Sequence, residues 1–317
     1  MRVFRGFSRP APGPTALAIG NFDGVHRGHR ALLAHLCDTA RAVALPPAVL
    51  TFEPHPREFF SPASAPARLT TLREKIELLA DAGVEQITVC RFDAAFAALS
   101  ADEFVERVLV RGLRARHLIV GDDFRFGRGR AGDFASLRAA GARHGFAVEA
   151  MGSVTVDGER ASSSGVRRAL AAGDMEHAAR LLGRPYVIDG QVTRGQQLGR
   201  QWGFPTANLR IKHNPLPMTG VFAVEVGGLG VRPLPGVANL GVRPTVDGTR
   251  PLLEVHLFDF DRDIYGAHIS VRFVHKLRDE RRFPDFDALK AQIAADATEA
   301  RLFFLRRGAG EAEVRRA

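Results

Sequence analysis

The spacing of apolar residues changes within this chain, and that change constrains the fold more than any other feature. Up to residue 151, short apolar runs alternate with segments whose apolar residues recur at helical spacing. Alternating strands and helices form right-handed βαβ units, which give a parallel sheet covered by helices on both faces. The predicted strands are 16–20, 48–52, 86–90, 117–120 and 147–151, and the predicted helices are 32–43, 72–82, 104–109 and 134–145.

From Tyr186 onward the apolar runs become short and closely spaced, with Gly, Pro and Asp between them. This pattern predicts a compact antiparallel barrel with one terminal helix, from 286 to about 304, and a frayed tail over 308–317. The predicted strands are 186–192, 221–226, 235–240, 252–258 and 269–274, preceded by short helices at 166–172 and 175–182. A chain of 317 residues can bury two cores, and we place the domains at 1–182 and 183–317.

Composition narrows the class of protein. Hydrophobic residues make up 45% of the chain, and no run approaches the roughly 18–20 apolar residues that cross a bilayer. Cys37 and Cys90 lie far apart and match no metal-ligand spacing, so we expect reduced thiols and a cytoplasmic protein. The net charge of +9 favours polyanionic ligands such as phosphorylated small molecules, nucleic acid or a membrane surface, without choosing among them.

The segment from Gly20 to His29 carries the first candidate site. It follows the first predicted strand, where ligands bind in parallel sheets, and it opens a helix. His26 and His29, three residues apart, would lie on one face of that helix beside its free N–H groups, a combination that suits phosphate oxygens. The alternative is that the two histidines only cap or pack a turn.

The second candidate site begins in a glycine-rich stretch. Glycines at 195, 199 and 203 would let a loop pass close to a ligand, and Thr206 and Asn208 offer neutral oxygens to a hard cation. The alternative is a plain hairpin with a turn at 204–205. Glu254 stands among apolar residues of a predicted strand, so its carboxylate is either functional or directed to solvent.

The first half resembles the N-terminal module of prokaryotic bifunctional flavokinase/FAD synthetases. The resemblance lies in segments 20–29, 51–56, 120–127 and 162–167, the last with Ser164 where the family usually has Thr. It implies that His26 and His29 contact the triphosphate of ATP and that Ser163, Ser164 and Arg167 close over the phosphates. The other residues it places at ATP are Gly20, Asn21, Phe22, Asp23, Gly24 and Asp123. On the flavin side it places Pro54, Pro56, Phe60 and Phe126, although for Phe60 and Phe126 core packing is an equal alternative.

The second half resembles riboflavin kinases, most specifically in Gly-Phe-Pro-Thr-Ala-Asn at 203–208 and further in segments 236–245, 253–260 and 273–280. This resemblance implies that Thr206 and Asn208 bind Mg²⁺ and that Glu254 is the general base on the ribityl 5′-hydroxyl. The residues it places at ATP are Gly195, Gly199, Arg200, Thr206 and Asn208.

The two resemblances together imply a Rossmann-like nucleotidyltransferase domain with a parallel sheet, followed by an antiparallel β-barrel riboflavin kinase domain. The implied reactions convert riboflavin to FMN and then FMN to FAD, with ATP as co-substrate and Mg²⁺ as cofactor. We expect no nucleic-acid or membrane partner, and the oligomeric state stays open. Two alternatives remain: a chain with only one working module, and a non-catalytic flavin-responsive or RNA-binding regulator.

Overall fold

The computed structural model of the protein describes residues 1–194, 203–213, 215–245 and 248–314. Contacts divide the chain into two compact units. The first unit comprises Met1–Pro66 and Thr70–Ser163, and the second comprises Ala67–Leu69 and Ser164–Ala317.

The first unit is built on a parallel sheet of six strands in the order β1-β4-β3-β2-β5-β6. The strands are β1 Arg2–Arg5, β2 Thr15–Ile19, β3 Pro47–Glu53, β4 Gln86–Arg91, β5 Ala115–Gly121 and β6 Ala147–Met151. This confirms the predicted parallel sheet and its five strands. The prediction missed β1, which lies at the sheet edge and is mostly exposed, so it lacks the apolar run that marks the others.

Helices cover both faces of this sheet. Alternate residues of β2 enter two different cores, Leu17 and Ile19 on one face and Ala16 and Ala18 on the other, as a doubly covered strand requires. The helices are α1 Arg27–Ala42, α2 Pro56–Phe60, α3 Leu72–Asp81, α4 Ala94–Ala97, α5 Ala101–Glu103, a π-helix at Phe104–Gly112, and α6 Phe134–His144. A short hairpin of β7 Thr155–Val156 and β8 Glu159–Arg160 follows β6.

The second unit contains a closed antiparallel barrel, which confirms the predicted barrel. Its strand order is β10-β13-β12-β11-β14-β9. The strands are β9 Tyr186–Thr193, β10 Ala207–Arg210, β11 Gly220–Gly227, β12 Leu234–Thr245, β13 Gly248–Leu257 and β14 His268–Arg278. The helices are α7 Ser163–Ala172, α8 Met175–Leu182 and α9 Phe286–Val314.

Two details of this unit differ from the prediction. The prediction missed strand β10, in which Ala207 and Leu209 are buried. This strand has only four residues and adjoins the glycine-rich stretch that we interpreted as a loop. Helix α9 continues to Val314, into the segment that we expected to be frayed, where four of the seven residues at 308–314 are Ala or Glu, which favour helix.

Candidate active sites

The loop between β2 and α1 has an unusual backbone. Phe22, Gly24 and Val25 all have positive φ, at 49°, 80° and 40°. Glycine adopts this conformation freely, whereas for Phe22 and Val25 it costs about 1–3 kcal/mol each. Such strain persists only where the surroundings hold the backbone in place, so this loop is fixed in shape before any ligand binds.

The carboxylate of Asp23 is one of the groups that hold this loop. Its Oδ1 accepts hydrogen bonds from the N–H of Thr70 at 3.0 Å and from the Thr70 hydroxyl at 3.2 Å. Thr70 Oγ1 in turn accepts the N–H of Gly24 at 3.1 Å, and Ser163 Oγ donates to the Asp23 carbonyl at 2.9 Å. The buried side chain of Asp23 therefore stabilises this loop through hydrogen bonds on the protein side.

His26 and His29 form one compact pair at the start of α1. His26 is the N-cap of this helix, and its Nδ1 accepts the N–H of His29 at 3.4 Å. Because Nδ1 accepts, a neutral His26 ring carries its proton on Nε2. The two rings stack with centroids 3.7 Å apart and planes inclined by 23°.

The ring of His29 is buried, and its pKa is shifted. Burial, followed by the nearby charges of His26 and Lys75, holds the pKa of His29 well below its ordinary value. The ring is therefore neutral at pH 7. Within the described part of the chain its buried Nδ1 has no hydrogen-bond partner, and buried polar atoms of that kind call for an explanation such as an absent ligand.

A cavity of about 870 Å³ opens beside this pair in the first unit. The structure brings together there many of the residues that the sequence predicted for one site: Gly20, Asn21, Phe22, His26, His29, Pro56, Phe60, Asp123 and Phe126. Among the described residues Asp23, Gly24, Pro54 and Ser163 do not line it. Ser164 and Arg167 belong to the second unit, where Arg167 Nε donates to the Ala67 carbonyl at 2.6 Å.

One wall of the cavity is aromatic. Phe60 is 65% exposed, and its ring centroid lies 5.5 Å from that of Phe92. Phe126 is only 6% exposed and stacks on Phe124 with centroids 5.7 Å apart, so it belongs to the core and to the wall together. Sequence reasoning missed Phe52, Phe92 and Phe96 of this wall, for which the closely spaced Phe residues of that segment were the available signal.

Cations line another part of the same cavity, and sequence reasoning missed them. They are Arg57, Arg125, Arg128, Arg130 and Arg160. Arg160 is paired with Asp123 at 2.9 Å, which ties that predicted nucleotide residue to the arginine cluster. Their combined positive charge favours an anionic ligand beside the flat aromatic wall. The available signal was the Arg-Gly alternation at 127–130.

In the barrel, strand pairing brings Asn208 and Glu254 together. Asn208 of β10 is directly opposite Glu254 of β13, and on the other side Glu254 is directly opposite Asn239 of β12. Leu253 and Val255 are fully buried, while Glu254 between them is half-buried. Its carboxylate thus lies on the opposite face from the barrel core, beside two amide side chains.

A second cavity, of about 400 Å³, lies next to Thr206. Its other lining residues include Pro205, Ala207 and Tyr265, and the guanidinium of Arg194 lies 5.4 Å above the Tyr265 ring. His256 Nδ1 is 2.9 Å from the Pro205 carbonyl and steadies the segment leading to Thr206. Three residues predicted to bind ATP, Gly195, Gly199 and Arg200, lie outside the described residues.

The oxygens of this region fit magnesium better than a transition metal. Mg²⁺ takes oxygen ligands and keeps several waters, so it needs only one or two protein groups besides the substrate phosphates. Thr206, Asn208 and Glu254 supply a hydroxyl, an amide and a carboxylate. Over the described ranges, no group of three or more His, Cys, Asp and Glu side chains could hold a metal ion.

Comparison with known proteins assigns each half of the chain to a family. The FAD synthetase family matches residues 8–165, and the riboflavin kinase family matches residues 182–304. The fold and the two cavities therefore define a class of proteins that join an α/β module of the FAD synthetase family to a riboflavin kinase barrel.

Full-length relatives are similar to the whole chain. The bifunctional riboflavin kinase/FMN adenylyltransferase of Escherichia coli strain K12 is 51% identical over 307 residues, which covers 96% of this chain and 98% of the relative. The protein of the same name from Haemophilus influenzae is 50% identical and covers 91% and 94%. The chain belongs to the family of bifunctional riboflavin kinase/FMN adenylyltransferases.

A solved structure is also similar over nearly the whole chain. It is described as a macrolide-efflux protein from Streptococcus pneumoniae, with 29% identity and a TM-score of 0.79, covering 93% of this chain and 97% of that chain.

Across the residues that the structure describes here, every helix is too short or too polar to span a membrane.

Proposed function

We propose that this protein phosphorylates riboflavin with ATP to give FMN, and then transfers AMP from a second ATP to FMN to give FAD and pyrophosphate. Residues 1–182 carry the adenylyl transfer and residues 183–317 carry the kinase reaction. By contacts, helices α7 and α8 group with the second unit, so the functional division and the contact division differ in where they place these two helices. The single observation that carries the proposal is the whole-length similarity to bifunctional relatives.

In the adenylyl transfer, an oxygen of the FMN phosphate forms a bond to the α-phosphorus of ATP, and the bond to pyrophosphate breaks. The protein's task is to hold the two phosphates in line and to neutralise charge on the leaving group. His26 caps the N-terminus of α1 and lines the cavity together with Gly28 and His29, so we assign the His26 ring and the N–H groups at this helix start to the triphosphate. His29 completes the pair, and Phe60 offers a flat face to the flavin ring.

The roles of Ser163, Ser164, Arg167, Pro54 and Asp123 stay predictions. The predicted role of Asp123 has geometric support, because Asp123 lines the cavity and pairs with Arg160. Asp23 and Gly24 take the supporting role in the loop that their hydrogen bonds describe.

In the kinase reaction, Glu254 accepts the proton of the ribityl 5′-hydroxyl while that oxygen bonds to the γ-phosphorus and ADP leaves. Thr206 and Asn208 would hold Mg²⁺ against the ATP phosphates, where the ion neutralises phosphate charge. The position of Asn208 directly opposite Glu254 supports a shared site. We further propose a cytoplasmic protein, where ATP is at hand and Cys37 and Cys90 stay free.

One experiment tests the proposal. The purified protein is incubated with riboflavin, ATP and Mg²⁺, and riboflavin, FMN and FAD are resolved over time; a second reaction starts from FMN. Glu254→Gln should abolish FMN formation and spare FAD synthesis from FMN, whereas replacing His26 and His29 by Ala should do the reverse. Glu299→Gln, on an exposed position of α9, is the matched control.

The outcomes separate the proposal from its alternatives. Turnover of only one reaction by the wild-type protein would leave a single working module. Salt-dependent RNA binding without any turnover would favour the regulator. Loss of both activities in a folded Glu254→Gln variant would contradict separate sites.

A further inference from the structure

A row of polar side chains crosses three strands of the barrel beside the proposed general base. Glu254 of β13 has Asn208 directly opposite on one side and Asn239 directly opposite on the other. Side chains directly opposite in an antiparallel pair have Cβ atoms about 4.5–5.5 Å apart. The carboxylate of Glu254 therefore lies between two amides, and only Asn208 has a role so far.

The side chain of Asn239 also contacts Glu280. This carboxylate, just beyond the end of β14, makes a side-chain hydrogen bond with Asn239. It also lies directly over Gly241, two residues along β12 on the same face as Asn239, where a Cβ atom would overlap it. Partial burial in this position raises the pKa of Glu280, and the hydrogen bond from Asn239 opposes that rise.

The chemistry of an amide explains how this contact could serve the reaction. A side-chain amide has two N–H donors on one nitrogen. When Glu280 accepts one of them, the amide cannot turn over freely, and its second donor is left for the carboxylate of Glu254, which is directly opposite in the strand pair. A carboxylate that accepts a fixed hydrogen bond has one preferred orientation, which a general base needs in order to reach a substrate hydroxyl.

We propose that Asn239 and Glu280 are positioning residues of the kinase reaction: Glu280 fixes the amide of Asn239, and Asn239 fixes the carboxylate of Glu254. Gly241 makes room for the contact. This inference rests on the proposed role of Glu254 as the general base. Neither Asn239 nor Glu280 touches the reacting atoms in this scheme.

The test uses the full-length protein with two variants that break the same contact differently. Glu280→Ala removes the carboxylate, whereas Gly241→Ala displaces it with a single methyl group against the flexible end of that side chain. Each should lower kcat for riboflavin phosphorylation by on the order of tenfold, within the roughly 100-fold loss that a misplaced group can cause. The KM for ATP should change little, and FAD synthesis from supplied FMN should be unchanged.

The double variant provides the sharper measurement. If both substitutions act through one contact, combining them should lower kcat no further than the stronger single variant does. The matched controls are Gly227→Ala, a strand glycine whose added Cβ would have its nearest neighbour 3.9 Å away, and Glu299→Ala at an exposed position of α9. Both controls should keep wild-type kcat. Asn239→Ala should reduce kcat at least as much as Glu280→Ala does.

Several results would overturn the inference. These are an unchanged kcat in both single variants, losses that multiply in the double variant, or an equal fall in FAD synthesis, which would indicate general destabilisation. Glu254→Gln separates this inference from the proposed function. If Glu254→Gln keeps kinase activity, the proposed base is wrong; if it is inactive while Glu280→Ala and Gly241→Ala match wild type, only the positioning role fails.

Discussion

The imidazole rings of His26 and His29 stack face to face, with centroids 3.7 Å apart. Burial, followed by the nearby charges of His26 and Lys75, lowers the pKa of His29, so the two rings do not both carry charge at pH 7. A bound anion would favour the protonated form of this pair. Proton uptake and phosphate binding should be linked at this site.

Stability should fall on acidification because of His29. Its pKa in the folded state lies below the ordinary value of 6.5, so just below pH 6.5 the unfolded chain binds a proton that the folded chain excludes. The free energy of unfolding therefore decreases as pH falls through 6.5 toward the lower folded pKa. Urea unfolding of wild type and His29→Gln across this range checks it: the variant should show a flatter pH dependence. His144→Gln, at an exposed position, should keep the wild-type slope.

Lys75 should depress the pKa of His29 in solution. This lysine is only 2% exposed, and its Nζ lies 3.5 Å from Thr51 Oγ1, which donates to the Asn21 carbonyl in the loop between β2 and α1. Lys75→Met removes a buried positive charge, so the pKa of His29 should rise toward its ordinary value. NMR titration of the His29 ring proton measures this, and an unchanged pKa would leave burial and His26 as the causes.

Two phenylalanines of the cavity wall should respond in opposite ways. Phe60→Ala removes an exposed ring, so the free energy of unfolding should stay within about 0.5 kcal/mol while the KM for FMN rises. Phe126→Ala empties a buried position and should cost about 3–5 kcal/mol. Urea unfolding and FMN-dependent FAD synthesis measure both effects. A normal KM for FMN in Phe60→Ala would remove that residue from the flavin site.

The Asp23–Thr70 contact should contribute to stability by holding the loop between β2 and α1, rather than by contacting a ligand. Thr70→Val keeps the side-chain shape but leaves the buried Gly24 N–H without the acceptor it has at 3.1 Å. We expect a loss of about 1–3 kcal/mol in unfolding free energy. The kcat of adenylyl transfer should fall as the strained loop relaxes, while riboflavin phosphorylation continues. Parallel loss of both activities at a temperature where the variant stays folded would contradict this.

Local patterns were sufficient for most of the architecture. The buried run of β2, the histidine cap of α1 and the alternation along β9 are visible in neighbouring residues, because strand and helix periods act over a few positions. Strands β1 and β10 were missed because each has only four residues and little apolar character of its own. The role of Asp23 could not be predicted either, because local patterns do not reveal its partner Thr70, which lies far along the chain.

The amino-acid order alone decided the two fold types and the residue types of each site, since periodicity and short motifs are local properties. Only the folded barrel decided that Asn208, Glu254 and Asn239 would be neighbours. Their strands are separated along the chain, and a shift of one residue in strand register would move Glu254 to the opposite face of the sheet. Register is set by the burial of whole strands, so the arrangement of the kinase site is a property of tertiary packing.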